Sequence, residues 1–480
     1  MYRILSAFIS FAFFVAVATA EPAGEWIDLF DGKSLDGWKA AENPDSWSVQ
    51  DGQLVTAGPR SHLFYVGEVG GADFKNFELE VEVLTAQYSN SGVYVHTKYQ
   101  ETGWPKQGYE VQVCNTHRPS AKHKERKRTG SLYGVRNVYK TAATDGEPFR
   151  MRIRVVGKRI QTWVNDCPMV DYIEPTGCQV SGAFSRRLSS GTIALQGHDP
   201  DSRVAYRYVR IRMLPDDADA NLDDRASDAG YGLKPGLIDG IHKATIPFID
   251  YHVHLRGGMS VEKAMDRQAV TGINVGVLKN IGNDWPIETN EQLEEFLDST
   301  AGKPLFVGLQ VNDRDWHRQH APELLARLDF VLGDTMIMAM PDDDGETQRL
   351  WMEDQYEIKN PEAWMKRYVK HNLRVLSEPI TILANPTYLP NSIKDRYDEL
   401  WTDDRMRQVI QAAIDNNVAL EINASSEWPH DRFIEMAKQM GATFSFGSNN
   451  FNDKPIDMTR CFEAINRYGL KKGDFYIPEP

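Results

Sequence analysis

Polar side chains spaced two residues apart carry the chemistry available to this sequence. One pair closes an apolar run: residues 248–258 read FIDYHVHLRGG, with His252 and His254 flanking a valine. A strand sends alternate side chains to one face, so both imidazoles lie together at a strand end. Two histidines so placed are a common start for a metal site. Other pairs lie in the first half: Tyr94 and His96 in VYVHT, Glu110 and Gln112 in GYEVQV, Gln196 and His198 in IALQGH. Pairs on adjacent strands converge on one sheet face. Trp104 and Trp163 are candidates to stack on sugar rings. An ordinary solvated sheet face is the alternative reading.

The elements that must position these residues fall into two textures. Residues 26–214 hold short alternating runs such as FELEVEVLT, RMRIRVVG and VAYRYVRIRML, separated by DGK, DGQ and VGK turns. That is an all-β sandwich pattern. Residues 215–235 open with PDDADANLDDRASDAGYG, an acidic stretch that cannot bury a core and reads as a linker. From 240 to 475, strand-like runs (PFIDYH, INVGVL, PLFVGLQV, DFVLGD, ITILAN, VALEIN, TFSFG) alternate with amphipathic stretches such as 361–376. Repeated βα units predict a parallel sheet or, with seven strands, an α/β (β/α)7-type barrel.

The chain has 480 residues and a formal net charge of −14. The acidic balance argues against a nucleic-acid partner. Arg3, the apolar run 4–18 and the small residues ATA at 18–20 form a signal-peptide pattern, with cleavage expected after Ala20. The run is shorter than the roughly 20 residues a membrane span needs, so no stable membrane insertion is expected. The mature protein should be periplasmic or secreted. Export would permit a disulfide between Cys167 and Cys178, which flank a short loop. The segment 117–130, HRPSAKHKERKRTG, is strongly basic. It reads either as a solvated loop or as a clamp for an anionic polysaccharide.

The ordered set WIDLFDGKSLDGWK, WSVQDGQL, NSGVYVHT, GYEVQV, TGSLYG, RIQTWVND and GTIALQGH resembles the 3-keto-disaccharide hydrolase domain family. The resemblance implies a concanavalin-like jelly-roll sandwich and an oligo- or polysaccharide substrate carrying a 3-keto sugar. A ketone at C3 acidifies the C2 proton, so a base can expel the aglycone from C1. On that reading Glu110 is the base and His198, or else His96, an acid or second base. Asn90, Tyr94, Gln112, Trp163 and Gln196 would hold the sugar. A non-catalytic sugar-binding sandwich is the alternative.

DYHVHL, with FVGLQV, LDFVLGD, ITILANP, VALEINASS and FSFGSNN in order, resembles the polymerase-and-histidinol-phosphatase metal hydrolases. The resemblance implies a phosphoesterase-like barrel with its site at the strand ends. The ligands depart from that pattern: Gln310, Asn385, Asn449 and Phe451 stand where Glu, His, Asp and His are expected. The expectation is one divalent metal ion at most, on His252, His254 and Glu421. The alternative pairs a binding sandwich with an active phosphoesterase barrel.

Overall fold

A computed structural model describes residues 24–120, 124–175, 187–220, 237–339 and 347–479. The expected signal peptide, Cys178 and most of the expected linker lie outside the described residues. No helix among the described residues is long and apolar enough to cross a membrane.

The first half is an all-β sandwich. An eight-stranded sheet runs in the order Cys167–Ile173, Arg159–Val164, Phe149–Val156, Phe77–Thr85, Arg203–Met213, Gln53–Ala57, Trp47–Gln50, with Ile27–Asp28 also paired to Arg203–Met213. A five-stranded sheet runs Trp38–Ala41, Ser61–Tyr65, Thr192–Gly197, Ser91–Thr97, Tyr109–Val113. Alternation explains the packing. Phe149, Met151, Ile153 and Val155 face inward and meet Leu63, Val93, Val111 and Leu195 of the other sheet in one core. The outer face of the large sheet is occupied by cross-strand ion pairs, including Glu80 with Arg210 at 2.5 Å and Glu82 with Arg207 at 3.0 Å. The outer face of the small sheet is covered by loops instead, and there the polar pairs collect.

The second half contains a closed barrel of seven parallel strands: Ile249–His254, Asn274–Ile281, Phe306–Val311, Phe330–Asp334, Ile382–Ala384, Ala419–Asn423 and Phe444–Gly447. Helices stand between successive strands, among them Val261–Thr271, Pro361–Leu376 and Asp403–Asp415. Ser260 caps the first of these through Lys263 N, and Gly272 ends it in the left-handed conformation. Ile249, Tyr251, Leu278, Phe306, Phe330 and Leu332 fill the barrel interior together with Tyr139, which comes from the sandwich.

The sandwich docks directly on the barrel. The Asn137 N–H donates to His242 Nδ1 at 3.0 Å and its Nδ2 to the His242 carbonyl at 2.8 Å. Tyr139 N donates to Asn274 Oδ1 at 3.0 Å, and Asn274 Nδ2 returns a bond to the Asn137 carbonyl at 2.9 Å. Arg136 pairs with Asp239 and Lys140 with Asp329. The basic segment is part of this junction. Lys124, Arg126 and His117 surround Glu479 at 3.3, 2.9 and 3.2 Å. Lys127 and Arg128 are buried. Residues 118–120 are exposed, as a solvated loop would be, but 124–130 form neither a solvated loop nor an unmatched cationic clamp, because acids and His117 already satisfy their charges. Cys114, Cys167 and Cys461 are buried free thiols.

Candidate functional site

The small sheet builds its site by register. Glu110 pairs opposite Tyr94, and Gln112 opposite Gly92. Tyr94 pairs in turn with Ala194, and Gln196 with His62. Glu110, Tyr94, Gln112, Gln196 and His62 therefore share the outer face. Segment 130–133 extends this sheet: Gly130 N reaches the Gln112 carbonyl at 3.0 Å and Tyr133 N the Glu110 carbonyl at 2.9 Å. That addition brings Tyr133 and Glu125 alongside. The result is a pocket of about 300 Å³ lined by Asn90, Glu110, Gln112, Gln196 and His198, with Trp104, Glu125 and Tyr133.

Glu110 is largely buried at 9% exposure. Its Oε1 accepts from Gln196 Nε2 at 2.9 Å, and the same amide donates to the Tyr94 hydroxyl at 3.1 Å. Burial first, then the Glu110 charge, pushes the Tyr94 hydroxyl well above its ordinary pKa, so it remains a neutral donor beside the carboxylate. Gln112 Nε2 donates to Asn90 Oδ1 at 2.6 Å. The carbonyl oxygens of Gln112 and Gln196 are buried without a partner among the described residues. Buried acceptors are normally paired, so two on one pocket wall point to ligand hydroxyls.

His198 Nδ1 hydrogen-bonds Asp199 Oδ2 at 2.6 Å, and that bond is the main cause holding the Asp199 carboxyl below its usual range. A carboxylate on Nδ1 orients the ring and leaves Nε2 for a ligand. The Trp104 ring lies 5.3 Å from His198 and 5.4 Å from His62, with the Arg60 guanidinium 5.1 Å from its centroid. Such a ring offers the stacking face expected of Trp104.

The structure thus gathers Asn90, Tyr94, Gln112, Gln196, Glu110 and His198. It does not gather His96 or Trp163. His96 has φ 53, and the pairing with Thr192–Gly197 shifts register there. The irregularity breaks alternation. The His96 ring packs against Phe77 of the core at 5.6 Å, bonded to the Lys75 carbonyl at 3.0 Å and Ser189 N at 3.1 Å. Trp163 stands on the eight-stranded sheet, where Arg152 covers its ring at 4.2 Å. Sequence reasoning missed Glu125, Tyr133 and His62. Glu125 is the single acid in the basic segment 117–130. Here it accepts Lys127 Nζ at 2.8 Å, and Lys127 sits 4.1 Å over the Tyr133 ring. That isolated acid was the available signal.

At the barrel mouth, His252 and His254 lie together with ring centroids 5.1 Å apart. Glu421 joins them, its Oε1 2.6 Å from His252 Nδ1. The three do not fit as one metal's ligand set. A carboxylate bonded to Nδ1 lies on the far side of the ring from Nε2, where it orients the imidazole rather than sharing an ion with it. The other Glu421 oxygen accepts the Asn385 N–H at 2.9 Å. Asp334 accepts Gln310 Nε2 at 2.6 Å and Met336 N at 2.7 Å. Among the described residues no group of three or more His, Cys, Asp or Glu is disposed to hold an ion. Phe451 is 68% exposed under Arg256.

Comparison with known proteins bears on the first half. Residues 25–212 match the family model of the 3-keto-alpha-glucoside-1,2-lyase-like domain. A 3-keto-disaccharide hydrolase of Bacteroides thetaiotaomicron is 28% identical over 233 residues, covering 40% of this chain and 79% of that protein. Two solved glycosyl hydrolase-like proteins of Parabacteroides distasonis also align. One is 21% identical with a TM-score of 0.34, covering 40% of this chain and 94% of its own. The other is 25% identical with a TM-score of 0.32, covering 40% and 100%. The N-terminal domain is related to the 3-keto-disaccharide hydrolases, and the matched region ends before the barrel begins.

Proposed function

We propose that the sandwich cleaves a 3-keto-glycoside by elimination and rehydration, with Glu110 as the base. The observation that carries this is Glu110 itself. A largely buried carboxylate, positioned by Gln196, shares one pocket with unpaired amide oxygens and the His198–Asp199 pair. Glu110 takes the C2 proton. The electron pair forms the C1–C2 double bond as the aglycone leaves C1, and His198 gives the leaving oxygen its proton. Water then adds at C1, and a proton returns to C2. The carbonyl oxygens of Gln112 and Gln196 accept from sugar hydroxyls, and the second Nε2 hydrogen of Gln112 is the donor for the keto oxygen as charge develops there. The matched family and the named relative support this class of substrate.

The barrel's opening motif supports descent from a metal hydrolase whose ligands have been replaced. The leader pattern supports export to the periplasm or beyond, with residues 1–20 removed; sequencing the N-terminus of the native protein checks this.

The central experiment measures turnover of 3-keto-lactose or 3-keto-trehalose by the full chain in D2O. Elimination places solvent deuterium at C2 of the released sugar. Glu110→Gln should lower turnover by roughly 100- to 10,000-fold with folding intact. Retention of the sugar without turnover by the unaltered chain would make the sandwich a binding module.

A further inference from the structure

We propose that the barrel mouth is a second binding site, for an uncharged polyhydroxylated small molecule such as a free sugar or polyol, centred on the His252 imidazole. This site is separate from the sandwich pocket and does not depend on its activity. In parallel barrels, ligands bind at the C-terminal strand ends, and that is where these residues stand.

The first argument is the unpaired donors and acceptors. His252 Nε2, Asn385 Nδ2 and Asn312 Nδ2 are buried with no partner among the described residues. Their residues are 0%, 4% and 2% exposed. Buried polar atoms are seldom left so, because each forfeits its hydration. His252 and Asn385 both hold Glu421, one through Nδ1 and the other through its backbone N–H. Their orphan atoms therefore belong to one locus.

The second argument is charge. Two of the acids here already have partners: Glu421 with His252, and Asp250 with Arg267 at 2.7 Å. An entering anion would meet the Glu421 and Asp334 carboxylates, while Arg267 is paired with Asp250, Arg314 with Glu378 at 3.1 Å, and Arg256 is held on the Asn450 carbonyl at 3.3 Å. A phosphoester is thus disfavoured here. Amides stand beside these carboxylates. Asn280 Nδ2 donates to Gln310 Oε1 at 3.1 Å, and Asn423 Nδ2 to Asn385 Oδ1 at 3.1 Å. Amides offer donors and acceptors without charge, which is what a hydroxyl requires of its neighbours. Gly447 preserves the room: a Cβ there would collide with Glu421 Oε1 and lie 2.7 Å from His252 Cβ.

The test titrates D-glucose and myo-inositol into the full chain, followed by saturation-transfer NMR. A Glu110→Gln, Gln196→Leu background silences the sandwich pocket. Binding should persist in that background. It should weaken about tenfold or more when His252→Gln or Asn385→Gly is added, each variant melting like its parent. Asn385→Gly keeps the backbone N–H to Glu421, so it carries the test if His252→Gln does not fold. Polyol binding unchanged by both variants would overturn the proposal. So would absence of polyol binding in the parent, or competition by inorganic phosphate. A divalent ion retained through dialysis and lost in His252→Gln would overturn it in favour of a metal centre.

Discussion

Gly92 makes the room that Glu110 occupies. A Cβ at position 92 would fall 2.7 Å from Glu110 Oε1 and 3.0 Å from its Cγ. Both residues stand on neighbouring strands of the small sheet, and the missing side chain lets the carboxylate settle beside Gln196. Gly92→Ala should push Glu110 off this position without disturbing the core. Displacement of a base by about 1 Å costs roughly 100-fold in rate. We expect that order of loss in turnover of a 3-keto-glycoside with a near-native melting temperature. Full activity in Gly92→Ala would show that Glu110 need not sit where it does.

His62 predicts an acid sensitivity. Its ring is fully buried between Tyr94 and Trp104, with neither nitrogen paired among the described residues. Burial is the main cause lowering its pKa from 6.5 to about 3; Glu42 opposes the shift, and Arg60 and His198 add to it. The folded chain therefore holds His62 neutral where the unfolded chain protonates it. Its contribution is fully present above pH 6.5 and is lost as the pH falls from there towards about 3. His62→Phe keeps an aromatic of similar shape and cannot titrate. Calorimetric melting from pH 7 to pH 4 should show a shallower fall for His62→Phe. Parallel curves would refute the assignment.

Asn137 ties the two halves together through its bonds to His242 and its carbonyl's bond from Asn274. Asn137→Ala keeps the backbone bonds but removes the Nδ2 bond to the His242 carbonyl, which retains the Thr245 N–H, and takes from Gly134 N its Oδ1 acceptor. The expected loss is on the order of 1–3 kcal/mol. Limited proteolysis within 215–235 should give two fragments that still co-elute on gel filtration. The Asn137→Ala fragments should separate more readily. Immediate separation of the wild-type fragments would contradict the docking.

Arg267 and Asp250 form a buried ion pair, with side chains 4% and 0% exposed. Asp250 also accepts Ser448 N at 2.8 Å, which ties the first barrel strand to the turn after the last. Arg267→Met leaves an uncompensated buried carboxylate. Such losses run at about 3–5 kcal/mol. Denaturant melts of the full chain should show the barrel transition moved by that amount, and a shift below 1 kcal/mol, the usual size for an exposed pair, would sink the prediction.

Alternation was enough to read the strands and the faces of Glu110, Gln112 and Gln196, because a side chain's direction on a regular strand is a local property. The same rule put His252 and His254 together at a strand end. It failed at His96, where a positive φ and a register shift turn the ring into the core. Nothing local marks that irregularity. Trp163 was misplaced for a different reason: period two assigns a face within a sheet but not which of two sheets a strand joins. Segment 117–130 showed its charge in the sequence and hid its partners, since Glu479 lies over 350 residues away along the chain. The barrel mouth is the clearest division. Residue types alone showed neutral amides, rather than carboxylates or imidazoles, at Gln310, Asn385 and Asn449. Only the closed barrel decided that Glu421 meets His252 at Nδ1 and leaves Nε2 unpaired, because that contact depends on how strands 169 residues apart are brought into register.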